Sequence, residues 1–273
     1  MSVIALLKKY QVQPKKRLGQ NFLISPPTLQ KIVQSCQLSP DDVTLEVGSG
    51  LGVMTSLLAE KCQHIIAVEK DISLFTISKQ EFGHISNITW INDDILQINF
   101  QQILSTDHST QKQLQIVGNI PYEITSPLLF HLLDQRKHLI NATLLMQKEV
   151  AERLIAIPCT KEYGILSVIL QAYANVEKIF DVAPSNFSPS PKVVSSLIRI
   201  HFHASSSSIK NELLFRKLVR TAFGKRRKTL RNALKGTFDT QHLEQSFDLD
   251  LNRRAETLSV EEYISLANHL EVL

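Results

Sequence analysis

The chain is poor in cysteine and shows no histidine pattern typical of a metal site. Its 273 residues include only three cysteines, Cys36, Cys62 and Cys159, which are widely spaced and form no CxxC pair. This argues against a disulfide framework and against structural zinc, and it favours a reducing compartment. The nine histidines show no HExxH or similar ligand spacing. We therefore predict no metal ion.

Long apolar runs are also missing. No stretch approaches the length of a membrane span, and residues 1–10 lack both the apolar core of a signal peptide and the Arg- and Ser-rich composition of a transit peptide. We expect a cytoplasmic protein with no membrane partner. With 43% hydrophobic and 21% charged residues, the chain has the composition of a globular protein long enough for one large α/β domain and one small domain.

Positive charge is concentrated in two segments, although the net charge is only +4. Residues 1–20 contain five basic residues and no acid, and residues 210–235 contain ten basic residues and one acid, Glu212. The remainder of the chain is therefore net acidic. This distribution indicates a polyanion bound at defined places, with a solvated helix face as the alternative.

A glycine-rich turn follows the first predicted strand of the sheet. The β-branched run 43–47 leads into Gly48-Ser49-Gly50-Leu51-Gly52, and helical spacing begins at Val53. Strand, glycine-rich turn and helix form the nucleotide-binding unit of a doubly wound sheet, where Gly48 and Gly50 allow a ligand to approach the backbone. Glu46 precedes this turn, and its carboxylate suits the sulfonium and amine of S-adenosylmethionine better than the pyrophosphate of NAD.

Acidic residues also end the next two predicted strands. Glu69 follows the strand 64–68, where such folds bind a ribose diol, and Asp94 follows the strand 88–92, where a carboxylate can accept from the adenine amine of a cofactor. Each acid alone is more often a solvated loop residue. Acids at the ends of three successive strands favour one ligand rim.

Asn119-Ile120-Pro121-Tyr122 follows the apolar run 114–118. Pro121 has no N–H and favours an extended Ile120, so the adjacent carbonyls are fixed outside a helix. With the Asn119 acceptor and the flat face of Tyr122, this predicts a site for the exocyclic amine of a nucleobase. A strand-ending turn is the alternative. Phe187 lies in the proline-rich loop 184–193, where we expect an exposed ring that stacks on a base, with a core residue as the alternative.

Several motifs together carry a family resemblance that spans nearly the whole chain. They are KKRLGQNFL (15–23), EVGSGLG (46–52), Glu69, Asp94, NIPY (119–122), QKEVAERL (147–154), YGxLSV (163–168), FSPSPKV (187–193) and FGKRRKTLRNAL (223–234). The chain resembles the KsgA (RsmA) family of adenine-N6 dimethyltransferases that act on small-subunit ribosomal RNA. It departs from the family at Ile120, where leucine is more common, and at Asp93, where glycine is usual.

The resemblance implies a doubly wound, Rossmann-like class I S-adenosylmethionine methyltransferase sheet with a small C-terminal all-α domain. The expected domains are residues 1–203, with a basic N-terminal segment 1–23, and a helical RNA-binding domain at 204–273. The implied activity, in a monomer, is dimethylation of N6 on two adjacent adenosines in a 3′-terminal hairpin loop of 16S rRNA in the small ribosomal subunit.

Residue roles follow from the same resemblance. The implied S-adenosylmethionine contacts are Asn21, Leu23, Gly48, Glu69, Asp94 and Asn119, together with Gly50 from the glycine-rich turn. The implied catalytic set is Asn119, Ile120, Pro121, Tyr122 and Phe187, with Tyr122 and Phe187 sandwiching the target adenine. The residues expected to contact RNA are Lys15, Lys16, Arg17, Lys225, Arg226, Arg227, Lys228 and Arg231.

Two other functions remain open on the sequence. One is adenine-N6 methylation of 23S rRNA of the macrolide-resistance type, against which the motifs at 187–193 and 223–234 argue. The other is a ribosome-assembly or transcription factor that keeps the fold without catalysis. The intact acid rim and residues 119–122 argue against lost catalysis.

Overall fold

A computed structural model describes residues 2–15, 18–106, 113–203 and 208–271 of the chain. They form two compact units, one made of Met1–Ala151 and Glu177–Phe202 and the other of Glu152–Val176 and His203–Leu273. The predicted boundary at residue 203 placed residues 152–176 in the first domain. The structure assigns them to the second unit, because the helix within this segment packs against two helices that follow residue 203. No helix in the described ranges is long and apolar enough to span a bilayer.

The first unit is built on a seven-stranded sheet with the order β4-β3-β2-β5-β6-β9-β7. The strands of this sheet are β2 (Val43–Val47), β3 (His64–Val68), β4 (Ile88–Ile91), β5 (Leu114–Asn119), β6 (Leu139–Gln147), β7 (Ala174–Val182) and β9 (Ser195–Phe202). A separate antiparallel pair joins β1 (Phe22–Leu23) to β8 (Phe187–Ser188). The five strands from β4 to β6 are parallel, and β9 runs antiparallel to β6.

The strand order reverses at β2, because the chain passes from β2 outward through β3 and β4 and then returns to β5 on the other side of β2. Ligands of open α/β sheets bind beyond the carboxyl ends of the strands at such a switch point. Here that place lies between the ends of β2 and β5, where Val47 pairs with Gly118. A Cβ on Gly118 would lie 2.9 Å from the Val47 carbonyl oxygen, so only glycine allows the two strands to approach this closely.

The central strand β2 is fully buried. All five of its residues are buried, as expected for a parallel strand covered on both faces.

The helices of the first unit begin at recognisable caps, with Ser25 before the prolines that open α2 and Asp71 before α4. These helices are α1 (Val3–Lys9), α2 (Pro26–Ser35), α3 (Val53–Ala59), α4 (Ile72–Phe82), α5 (Phe100–Thr106) and α6 (Thr125–Asp134); α7 (Lys148–Leu154) crosses into the second unit.

The second unit is helical and packs around aromatic side chains. Its helices are α8 (Ile165–Gln171), α9 (Glu212–Gly224), α10 (Leu230–Leu234), α11 (Thr240–Ser246) and α12 (Val260–Leu270). Phe223 stacks on Tyr263 with ring centroids 5.9 Å apart, and the Tyr163 hydroxyl donates to the Leu258 carbonyl at 2.9 Å. Helix α12 begins with a capping box, in which Ser259 Oγ accepts from the N–H of Glu262.

Only the second half of the basic segment 225–234 is helical. Thr229 caps α10, which starts at Leu230, so residues 225–228 form an exposed turn between two helices. The basic residues of this turn are therefore exposed at a bend and do not lie along one helix face.

Candidate functional site

A cavity of about 250 Å³ lies at the switch point of the sheet. Its wall combines the carboxyl ends of β2, β3 and β5, the loop after β4 and residues 18–23, which we call the cavity segment. The predicted site residues that line it are Asn21, Leu23, Gly48, Gly50, Glu69, Asp94, Asn119, Ile120, Pro121 and Tyr122. Sequence positions that are far apart thus meet in one pocket of the first unit.

Glu69 is held at the cavity wall by two backbone donors. The Gly50 N–H donates to Oε2 and the Asp71 N–H donates to Oε1, both at 2.8 Å. Gly48 has a φ of +70°, which allows the turn to bend towards this carboxylate. Burial raises the pKa of Glu69, and the backbone donors act in the opposite direction. Each oxygen keeps a second lone pair and can accept from a ligand hydroxyl.

Glu46 is fully buried beneath the cavity it helps to line. Neither of its carboxyl oxygens has a hydrogen-bond partner among the described residues. Burial raises the pKa of Glu46 to about 8. The nearby Thr55 hydroxyl opposes part of this rise, and the Glu69 carboxylate adds to it. A buried acid without a partner is unfavourable once it ionises. A cation in the cavity would supply the missing partner.

Asp94 forms the opposite rim of the pocket. Its Oδ2 accepts from Lys70 Nζ at 2.7 Å, and its Oδ1 accepts from the Leu96 N–H at 3.1 Å. Partial burial alone would raise the pKa of Asp94, but the Lys70 and Leu96 donors outweigh it and lower that pKa. Asp94 is therefore ionised at neutral pH and can only accept.

Asn119 is oriented by the cavity segment. Its Nδ2 donates to the Asn21 carbonyl at 3.0 Å, which directs the other end of the amide, Oδ1, away from that contact. No described residue donates to Oδ1 or to the Ile120 carbonyl, while the Ile120 N–H is bound to Leu145 at 2.9 Å. Asn119 Oδ1 and the Ile120 carbonyl therefore remain available as acceptors at two consecutive positions of the cavity wall.

Tyr122 completes this end of the cavity. Its hydroxyl shares a 2.9 Å hydrogen bond with Ser195 Oγ on β9, and burial raises its pKa. The ring is thus anchored at its polar tip by β9.

Comparison with known sequences identifies the family. The family described as ribosomal RNA adenine dimethylase matches residues 11–271. The chain belongs to this family.

Individual relatives agree with this adenine dimethylase assignment. The ribosomal RNA small subunit methyltransferase A of Syntrophus aciditrophicus is 40% identical over 273 residues and covers 97% of each chain. That of Chlorobium chlorochromatii is 44% identical over 259 residues, with 95% of this chain and 94% of the relative covered. The predicted family and enzyme class are confirmed.

Solved structures confirm the fold. A dimethyladenosine transferase from Plasmodium falciparum aligns with a TM-score of 0.77 at 23% identity, covering 92% of this chain and 98% of the other. The 23S rRNA methyltransferase ErmE aligns with a TM-score of 0.70 at 24% identity, covering 92% and 100%. The Rossmann-like class I methyltransferase fold is therefore established.

An adenine dimethylase of this fold uses a methyl donor of the S-adenosylmethionine type, and the cavity suits such a group. The unpartnered Glu46 carboxyl fits a cationic ligand, and Glu69 and Asp94 offer acceptors on two sides of the cavity. The pocket thus combines a buried acid without a partner and two acceptor side chains, a set of groups that fits a cation carrying a nucleoside.

Phe187 does not have the predicted exposure. The residue is only 3% exposed and pairs with Leu23 in the β1–β8 ladder. It belongs to the hydrophobic cluster that also contains Phe22 and Val182, and it does not line the cavity. The expectation of an exposed ring is wrong, because a short strand pairing between distant segments turns this loop inward.

The basic residues predicted for RNA differ in their surroundings. In the turn at 225–228, Arg226 pairs with Glu256 at 3.1 Å, and in α10 Arg231 pairs with Glu244. Arg227 and Lys228 are exposed, with no side-chain partner among the described residues. They are the free cations of this turn.

Lys15, in the predicted basic segment near the N-terminus, also has an acidic partner. Lys15 Nζ lies 2.7 Å from Asp71 Oδ1, so its charge is used within the first unit. Lys16 and Arg17 lie outside the described residues. Asp71 was not among the predicted site residues. Its position two residues after Glu69 and before a helical apolar pattern was the available signal for a helix cap.

Proposed function

We propose that this protein uses S-adenosylmethionine to dimethylate N6 of two adjacent adenosines in the 3′-terminal hairpin loop of 16S rRNA, within the small ribosomal subunit. The observation that carries the proposal is the pair of fixed acceptors, Asn119 Oδ1 and the Ile120 carbonyl, at the switch-point cavity. The relatives named for the small subunit support the choice of RNA. We place the enzyme in the cytoplasm, with its ribosomal substrate, as a monomer.

In the proposed cofactor site, each residue contributes by its position in the cavity. Glu69 would accept from the ribose hydroxyls, Asp94 would accept from the adenine amine, and the backbone at Gly48 and Gly50 would hold the amino-acid end. Glu46 neutralises the positive charge of the ligand. The remaining wall is supplied by Asn21, Leu23 and Asn119.

Bound S-adenosylmethionine supplies a methyl group made electrophilic by its sulfonium. The target amine is a poor nucleophile, because its lone pair is delocalised into the adenine ring. Asn119 Oδ1 and the Ile120 carbonyl would accept its two hydrogens before the first transfer, and one of them would accept the single hydrogen left before the second. This favours a pyramidal nitrogen whose lone pair is available, and each transfer releases one N6 proton to solvent. Pro121 keeps the Ile120 carbonyl out of a helix. The fixed geometry of the two acceptors supplies much of the rate acceleration of methyl transfer.

The adenine must leave its stack to reach these acceptors, which is easiest in a loop. Stacking on Tyr122 offsets this cost by about 1–3 kcal/mol. Since the Phe187 ring is buried in the hydrophobic core, we assign it to support of the β1–β8 pair and assign the platform to Tyr122 alone.

We also propose that the helical unit binds RNA through the turn at residues 225–228. Arg227 and Lys228 would contact phosphates, since Arg226 already has an acidic partner. Phosphate contacts position the protein on the RNA and make binding dependent on salt.

The test is methyl transfer from labelled S-adenosylmethionine to three RNAs, namely small subunits that lack the modification, fully modified small subunits and large-subunit RNA. The proposal predicts label only in the first. Label in large-subunit RNA would favour the resistance-type reaction, and cofactor binding without transfer to any RNA would favour an assembly factor.

A further inference from the structure

Lys15 and Gln20 both donate hydrogen bonds to one buried carboxylate beside the cavity, that of Asp71. Lys15 Nζ lies 2.7 Å from Asp71 Oδ1 and Gln20 Nε2 donates to Asp71 Oδ2 at 2.9 Å. The amide of Gln20 also accepts from the Lys15 N–H at 2.8 Å. The three residues, with the Lys15 backbone N–H closing the cycle, therefore form a hydrogen-bonded ring, which we call the Asp71 clasp. Only 2% of the Asp71 side chain is exposed.

The same residue is joined to the proposed ribose-binding carboxylate. The Asp71 N–H donates to Glu69 Oε1 at 2.8 Å, and Asp71 Oδ1 accepts from the Ser73 N–H at 3.0 Å as the cap of α4. Burial would raise the pKa of Asp71, but the Lys15, Gln20 and Ser73 donors outweigh it and lower that pKa. Asp71 therefore remains charged, and charge-assisted hydrogen bonds are the strong ones.

The cavity segment is held at its other end as well. The Asn21 carbonyl accepts from Asn119 Nδ2 at 3.0 Å, and Phe22 and Leu23 pair with β8. Residues 18–23 thus lie against the cavity between two attachment points, one at Asp71 and one at Asn119. The first attachment has no role in the chemistry described above.

We propose that Asp71 is a positioning residue for the methyl donor, which acts by holding the cavity segment against the pocket through Lys15 and Gln20. The inference rests on the proposed cofactor site. A wall that is fixed before binding lowers the entropy lost when the ligand binds, so cofactor affinity depends on the clasp. Lys15, expected from the sequence to bind RNA, serves the cofactor instead.

The test measures binding of S-adenosylhomocysteine by calorimetry to wild type, Asp71→Asn and Lys15→Met. Asparagine is as good a helix cap as aspartate, but it is uncharged, and its one amide oxygen cannot replace the two carboxylate oxygens that accept from Lys15 and Gln20. We expect each variant to bind about tenfold or more weakly. The double variant should bind only slightly more weakly than either single variant, because both substitutions break the same Lys15–Asp71 contact.

The matched control is Glu81→Gln. Glu81 lies on the same helix, where it pairs with Lys9 and Tyr10, and neither it nor its partners line the cavity. We expect its affinity to stay within about twofold of wild type, since it removes a comparable ion pair without touching the clasp. Lys15→Arg, which keeps the positive charge, should retain most of the wild-type affinity for S-adenosylhomocysteine.

Kinetics and RNA binding distinguish a positioning role of Asp71 from a general loss of structure in the variants. Asp71→Asn should raise the KM for S-adenosylmethionine while kcat at saturating cofactor stays near wild type, and Lys15→Met should leave the salt dependence of RNA binding unchanged. Wild-type affinity in Asp71→Asn would overturn the clasp. Absence of binding by wild type would instead overturn the proposed cofactor site, so the two failures are distinguishable.

Discussion

Replacing Glu46 with glutamine should stabilise the cofactor-free protein at neutral pH. The carboxyl is fully buried, its oxygens have no partner among the described residues, and burial raises its pKa from 4.5 to about 8. Between these two values the unfolded chain has released the proton and the folded protein still holds it. Wild-type stability therefore falls as the pH rises through this window, whereas glutamine does not titrate.

The size of the effect follows from the same two values. At about 1.4 kcal/mol for each pH unit, the difference in the free energy of unfolding between the variant and wild type should grow to roughly 3–5 kcal/mol near pH 8. Above that pH it should stay constant, because Glu46 is then ionised in both states.

Denaturant unfolding of both proteins between about pH 5 and pH 9 measures this difference. Trp90 is the only tryptophan of the chain and lies in β4, so its fluorescence reports on the first unit. Parallel pH profiles for the two proteins would refute the reasoning. A second readout is proton release when S-adenosylmethionine binds near pH 7, which we expect in wild type and not in Glu46→Gln.

Three further variants, one of them a double variant, test other parts of the account. Asn119→Ala should lower methyl transfer at least about 100-fold with RNA affinity near wild type, and retained transfer would remove the amine acceptor from the mechanism. Replacing Arg227 and Lys228 by glutamine should reduce the log–log salt slope of RNA binding by about two. The control Arg226→Gln, which removes a cation already paired with Glu256, should change the slope less. An unchanged slope in the double variant would place the RNA elsewhere. Phe187→Ala should lower the free energy of unfolding by about 3–5 kcal/mol as a core truncation, and a stable variant with impaired turnover would return the ring to the active site.

Local sequence patterns were sufficient for the sheet and for most of the cavity. The strand, the glycine-rich turn and the acids at Glu69 and Asp94 occupy the positions that periodicity predicts, because parallel strands bring their carboxyl ends to one edge. Gly118 and Asn119 fall at the switch point for the same reason. The family motifs then supplied the roles that spacing alone could not.

Features that depend on contacts between distant segments were not predictable. The burial of Phe187 follows from its pairing with Leu23, far away in the chain. The use of Lys15 follows from its contact with Asp71, 56 residues away. A basic residue in the sequence carries no sign of whether its partner is an internal acid or a phosphate, and only the fold decides.

Product analysis of the methylated RNA tests the central claim most directly. Small subunits that lack the modification are incubated with the enzyme and S-adenosylmethionine, and the modified nucleosides are identified and mapped, with Asn119→Ala as the control. We predict N6,N6-dimethyladenosine at two adjacent positions of the 3′-terminal hairpin loop with wild type and none with the variant. Methylation at another atom or at non-adjacent adenosines, or equal methylation by Asn119→Ala, would contradict the account.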